Sequence, residues 1–228
     1  MKSKTGIPVI TIDGASGTGK GVVTHRIAKQ LGWRLLDSGV LYRVLGYGAL
    51  KHHVSLEDAD ALTKLAANLE VEFISHCTSA PPQIIFENEN ITQTIRTEII
   101  GDTASKVGTF PTVRAALLDR QRHFRQMPGL VTDGRDMGTV VFPDAMLKIF
   151  LRASPTERAK RRHNQLKEMG FHANLSDLVE ELKIRDKRDQ ERVVAPLRPA
   201  EDAICIDTDH LSIEQVVDLI NIEIQKRL

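Results

Sequence analysis

The stretch GASGTGKG at residues 14–21 constrains this chain more than any other segment. It follows PVITI (8–12), a short, apolar, β-branched run that reads as a buried strand. It precedes VVTHRIAKQL (22–31), where Val23, Ile27 and Leu31 recur at helical spacing and Gly32 closes the pattern. A strand that turns through glycines straight into a helix has a physical use. Glycines let backbone N–H groups face inward around an anion with no Cβ in the way. The start of the helix adds partial positive charge. Lys20 then extends toward β- and γ-phosphates. The G-x-x-x-x-G-K spacing in this context is a phosphate-binding loop. Gly14, Ala15, Ser16, Gly17, Thr18, Gly19, Lys20, Gly21 and Val22 are therefore the candidate ATP-binding residues, with Lys20 also catalytic. Gly21 stands where the general pattern has a Ser or Thr for magnesium, and Val22 brings no hydroxyl either. Thr24 lies one helical turn past Lys20, the nearest hydroxyl beyond the loop. The expectation is Mg²⁺ that arrives with ATP and is held through phosphates and water, with no direct protein ligand.

The rest of the chain alternates short apolar strands with helices. RLLD (34–37), GLVTD (129–133), LKIFL (147–151) and AICID (203–207) are strand candidates. Helical patterns cover 39–53, a stretch from Pro111 carrying Val113, Ala116, Leu117 and Phe124, a segment opened by Ser154 and Pro155 and ended by Gly170, one from Asn174 to about 193, and one from Ser212 onward. Ser55 and Asp58 form a capping-box pattern ahead of Leu62, Leu65, Ala66 and Leu69. This order predicts an α/β, three-layer fold with a central parallel sheet covered on both faces. The alternation breaks where EVEFIS (70–75) reads as a half-exposed strand and QIIFENENITQTI (83–95) as two short strands around a polar turn. The expectation is one domain over 1–228, with an inserted subdomain at about 54–127 that carries a small antiparallel sheet.

Composition narrows the function classes. The 228 residues are 41% hydrophobic and 27% charged, with a formal net charge of +1. That balance supports an ordinary core and does not point to a nucleic-acid partner, which usually meets a basic domain. Cys77 and Cys205 are far apart and fit no metal spacing, which suits a reduced, cytoplasmic protein. The N-terminal segment has no signal-peptide apolar stretch, and no run is long enough to span a membrane. A monomer is expected.

Candidate acceptor residues gather in LLDSGVLYR (35–43), FPTVRAALLDRQR (110–122), DGRDMGTVVFPDA (133–145) and RDKRDQERVVAPL (185–197). A phosphorylated acceptor would be a dianion that has to be held in line with ATP. Arginines from different elements suit that task, because each can grip phosphate bidentately. Arg43, Arg114 and Arg135 are such candidates. Arg185, Asp189 and Arg192 fall at i, i+4 and i+7 and would share one helix face, which by spacing alone could be an ordinary solvated face. Asp136 can accept from an amino group while its neighbour Arg135 donates toward a ring nitrogen or carbonyl. Asp133 ends an apolar strand, where P-loop enzymes place an acidic residue near magnesium. SPTERAKRRHNQLKEMG (154–170) carries Arg158, Arg161 and Arg162 at adjoining helical positions, a basic face that suits either solvent or a mobile arginine-bearing lid.

Taken together and in order, these segments resemble the bacterial cytidylate kinases over nearly the whole chain. Nucleoside monophosphate kinases commonly read G-x-x-G-x-G-K-G at the loop, which fits Gly21, although Val22 departs from the hydroxyl often found next. The resemblance implies ATP as phosphoryl donor and CMP and dCMP as acceptors, with UMP disfavoured because uracil turns a carbonyl toward Asp136. It places Ser38 and Ser105 against the nucleotide and the face of Arg185, Asp189 and Arg192 against sugar and phosphate. Residues 154–173 would form the lid, with Arg158 and Arg162 catalytic on the transferring phosphoryl group. Another small-molecule kinase is the near alternative. No N-K-x-D guanine reader of a GTPase occurs. A nucleotide-responsive ATPase or RNA-binding switch is the alternative of a different class.

Overall fold

In the computed structural model, residues 6–74, 82–168, 170 and 172–228 are described. Cys77, Ser75 of the expected EVEFIS strand, and residues 169 and 171 of the expected lid lie outside them. The central sheet is built from β1 (Val9–Gly14), β2 (Arg34–Asp37), β6 (Leu130–Gly134), β7 (Leu147–Arg152) and β8 (Ile204–Asp207). It is parallel throughout, in the order β2-β6-β1-β7-β8. β1 and β6 are buried at every residue, as strands covered on both faces must be. Between β1 and β2 runs α1 (Lys20–Leu31); α8 (Ile213–Gln225) packs beside it. One core forms here from Ile10, Ile12, Val23, Ile27, Val217 and Ile220. A smaller one on the other face joins Leu36, Leu130, Met137 and Phe142.

Between α2 (Ser38–Lys51) and β6 the chain carries α3 (Ala59–Ala67), β3 (Val71–Ile74), β4 (Gln83–Phe86), β5 (Glu89–Asn90), α4 (Glu98–Val107) and α5 (Pro111–His123). The three strands form a separate antiparallel sheet. Leu45, Leu62, Phe86, Ile91, Val113 and Leu117 close its core. α6 (Pro155–Glu168) and α7 (Leu175–Gln190) pack on each other after β7.

Two details of the sequence reading change. The α3 cap is Asp58, which accepts from the Ala61 N–H, while Ser55 bonds the Glu57 N–H instead. α7 stops at Gln190, so Arg192 lies past the helix end rather than on its face. It still returns to the same neighbours, because its Nε donates to the Asp189 carbonyl.

Candidate functional site

The phosphate-binding loop sits at the C-terminal end of β1. Gly17 and Gly19 have φ of 81° and 88°, the left-handed region where an L side chain is strained. Gly19 leads directly into α1. Thr18 is buried, its hydroxyl donating to the Ala15 carbonyl, and Lys20 Nζ curls back to the same oxygen at 3.0 Å. Among the described residues nothing stands within 4 Å of where a Gly21 Cβ would be, so their packing does not exclude a hydroxyl there. Val22 points outward and is 52% exposed. The buried Thr24 hydroxyl donates to the Lys20 carbonyl.

From this loop a single open cleft runs toward α4 and α5. Ser16, Lys20 and Gly21 line one end. Ser38, Arg43, Asp133 and Arg135 line its middle, joined by Arg185, Asp189 and Arg192. Ser105, Arg114 and Asp136 line the far end. Residues 90 or more positions apart in sequence thus share one wall. Register explains part of this: Asp37 of β2 pairs with Asp133 of β6, so both strands deliver a carboxylate to the same edge.

Opposite charges are arranged in two groups. At the far end, Arg114 and Asp136 make a buried, close ion pair, and Arg114 lies over the Tyr42 ring at 5.3 Å. Its other amino group donates to the Gly108 carbonyl. Arg135 turns the other way: its Nε donates to Asp189 at 2.7 Å. Asp136 is therefore partnered by Arg114, not by its neighbour Arg135. Ser105 donates to Asp189 at 3.4 Å.

The second group is short of acceptors. Among the described residues Arg185 Nε and Arg192 Nη2 are buried without a hydrogen-bond partner, and Arg192 Nη2 is 3.6 Å from Asp189. Burial and the Arg135 charge push the Arg185 guanidinium down to about 10. Arg43 is lowered by burial as well, and donates to the Ile95 carbonyl. Burial works to raise Asp189, yet Arg135 and Arg192 hold it below its ordinary value. Lys20 is pushed down by burial and by Arg135, with Asp133 and Asp37 opposing. Burial and Asp37 drive Asp133 well up, and its Oδ1 is buried with no partner among the described residues.

The lid arginines do not line this cleft. Arg158, 2% exposed, makes a close bidentate pair with Asp186 and donates to the Ser16 carbonyl at 3.0 Å. Arg161 holds Thr208 and Glu157. Arg162 pairs with Glu98 of α4 at 2.5 Å, its Nε without a partner among the described residues. Sequence reasoning missed Asp37, Tyr42 and Asp186. Asp37 and Tyr42 lie inside the quoted LLDSGVLYR segment, but only the fold shows which of its side chains meet the cleft.

A parallel sheet in this strand order, with a glycine loop feeding a helix and a cationic basin facing it, defines a P-loop kinase. The family model for cytidylate kinase matches residues 10–226. A cytidylate kinase of Pseudomonas putida is 57% identical over 220 residues, covering 96% of each chain. One of Pseudomonas syringae is 56% identical over 227 residues, 100% of this chain and 98% of that one. One of Klebsiella pneumoniae is 56% identical over 212 residues, covering 93% and 92%. The chain belongs to the cytidylate kinase family.

Proposed function

We propose that this protein transfers the γ-phosphoryl group of ATP to CMP or dCMP, giving ADP and CDP or dCDP. The observation that carries the reading is the set of buried guanidinium N–H groups on Arg185 and Arg192 that lack an acceptor among the described residues, beside Arg43 and Arg135. A buried donor without a partner is costly. A dianionic phosphate supplies several oxygens at once, with charge that matches.

In this reading the loop amides and Lys20 hold the β- and γ-phosphates of ATP. Arg43, Arg135, Arg185 and Arg192 hold the acceptor phosphate, and Ser38 adds a donor. Arg185 and Asp189 face the sugar. Asp136 accepts from the cytosine N4 amino group, Arg114 donates toward N3 or O2, and Ser105 sits nearby. Uracil would set its O4 against the Asp136 carboxylate, leaving both without a donor. An acceptor phosphate oxygen forms the new bond to γ-phosphorus as the bond from γ-phosphorus to the bridging oxygen breaks. The electrons leave on the β-phosphate of ADP. No general base is required, because the acceptor oxygen is already anionic.

Magnesium fits this site through Asp133, whose Oδ1 has no partner among the described residues and can orient water on an ion, and Asp37; Gly21 has no side-chain oxygen, and the Thr24 hydroxyl is fully buried away from the cleft. When bound, the ion offsets charge on the β- and γ-phosphates. Arg162 is assigned to the transferring phosphoryl group, leaving Glu98 when nucleotide binds. Arg158 is assigned to bracing the loop through the Ser16 carbonyl. The substrates are small soluble nucleotides and one chain builds the cleft, so a cytoplasmic monomer completes the reading.

The test is ADP release from MgATP with CMP, dCMP, UMP, AMP or no acceptor. Strong turnover with CMP and dCMP, weak with UMP and none with AMP is expected. Equal ADP release without any acceptor would mean an ATPase, and the acceptor assignment would fall.

A further inference from the structure

The DGRDM segment that supplies Arg135 and Asp136 has no regular structure of its own between Gly134, where β6 ends, and Met137, where a π-helical turn to Val141 begins. Yet its two side chains must diverge accurately, Arg135 to Asp189 and Asp136 to Arg114. Something outside the segment has to hold it. Asp13 lies on the neighbouring strand, in register with Gly134 of β6. Its carboxylate is buried. Oδ1 accepts the Met137 N–H at 2.9 Å and Oδ2 accepts the Gly138 N–H at 2.8 Å. Those N–H groups open the π-helical turn, where intrahelical acceptors are missing. Bonds from N–H groups to a carboxylate are the stronger kind.

The approach is close. A Cβ on Gly138 would stand 2.8 Å from Thr11 Oγ1, and one on Gly134 would stand 2.4 Å from Ser38 Oγ. Both ends of the segment are thus pressed against their supports, and the Asp13 carboxylate closes the second end. Asp13 does not line the cleft. It immediately precedes Gly14, the first residue of the phosphate-binding loop. The same strand end that launches the ATP loop therefore anchors the acceptor-binding turn.

We infer that Asp13 is a positioning residue for the acceptor. It fixes the turn that carries Arg135 and Asp136, and so sets where the acceptor nucleotide lies relative to the ATP loop. The inference rests on the CMP kinase reading above. A carboxylate that served the fold alone would, when changed, lower stability and leave the ratio of the two substrate constants alone.

Asp13→Asn keeps the size but turns an amide NH₂ toward one of the two N–H groups. Asp13→Ser keeps one short acceptor and leaves space. Both variants are measured beside the wild type for CMP and ATP KM, kcat and melting temperature. Wild-type turnover with CMP tests the underlying reading; its absence would sink that reading rather than this one. With wild-type turnover present, Asp13→Asn is expected to raise the CMP KM about tenfold or more, as small misplacements of binding groups do. The ATP KM should stay within about twofold, and Asp13→Ser should show the same bias in whichever variant is folded. Equal changes in both constants, or a melting change alone, would overturn the inference. So would failure of both variants to fold, which would make Asp13 a residue of the fold only.

Discussion

Lys20 is the residue whose chemistry depends most on what fills the cleft. Burial, seconded by Arg135, pushes its ammonium down to about 7, while Asp133 and Asp37 pull the other way. Above pH 7 the free enzyme's Lys20 is then largely neutral. Phosphate oxygens placed against it favour the charged form and raise its pKa. ATP binding at pH 8 should therefore take up a proton, and the ATP dissociation constant should rise with pH by up to about tenfold per unit above pH 7. Calorimetry in two buffers of different ionisation heat measures the uptake directly. Lys20→Met should bind without it. Uptake that persists in Lys20→Met would assign the proton to another group.

Gly101 shows how a helix is shaped for its neighbours. It lies inside α4, where alanine would ordinarily be favoured by about 0.5–1 kcal/mol. A Cβ there would stand 3.2 Å from Arg43 Nη2 and 3.3 Å from Arg185 Nη1. These are ends of flexible side chains, so the helix tolerates the change and the guanidinium groups move. Gly101→Ala should keep or slightly raise the melting temperature while raising the CMP KM about tenfold. A variant with an unchanged CMP KM would separate these two arginines from the acceptor phosphate. The same helix receives Arg162 from α6 at Glu98 and Arg188 from α7 at Asp102. Exposed pairs of this kind contribute about 0–1 kcal/mol each, weak enough to be exchanged for a bound nucleotide.

At the scale of the molecule, the two larger of the three cores divide the labour. One lies under the ATP loop; the other holds α2–α5 and the small sheet against each other. Leu62 is fully buried in the second. Leu62→Ala should cost about 2–5 kcal/mol. Because Ser38, Arg43, Ser105 and Arg114 hang from that core's helices, the CMP KM should rise more than the ATP KM. Hydrogen exchange should quicken over α3–α5 before β1. Uniform loosening of both regions would mean that the two cores act as one unit.

The strand–glycine–helix order, the parallel sheet and the break at the small antiparallel sheet were all legible along the chain, since each is a local pattern of period, turn residue or cap. So were the segments that bear Arg43, Arg114, Arg135, Arg185 and Arg192, which the fold brings to one cleft. Local pattern did not say where α7 ends, and a face drawn by helical spacing carried Arg192 one step too far. It did not single out Tyr42, Asp37 or Asp13, whose places depend on which strand lies beside which. Nor did it match charges: Asp136 pairs with Arg114 from another element instead of following Arg135, and Arg158 is spent on Asp186 and the loop. A sequence determines which charges a chain owns and which segments can turn around an anion. Which charge meets which is decided only by tertiary packing, because burial removes the solvent that would otherwise let every ion pair with water.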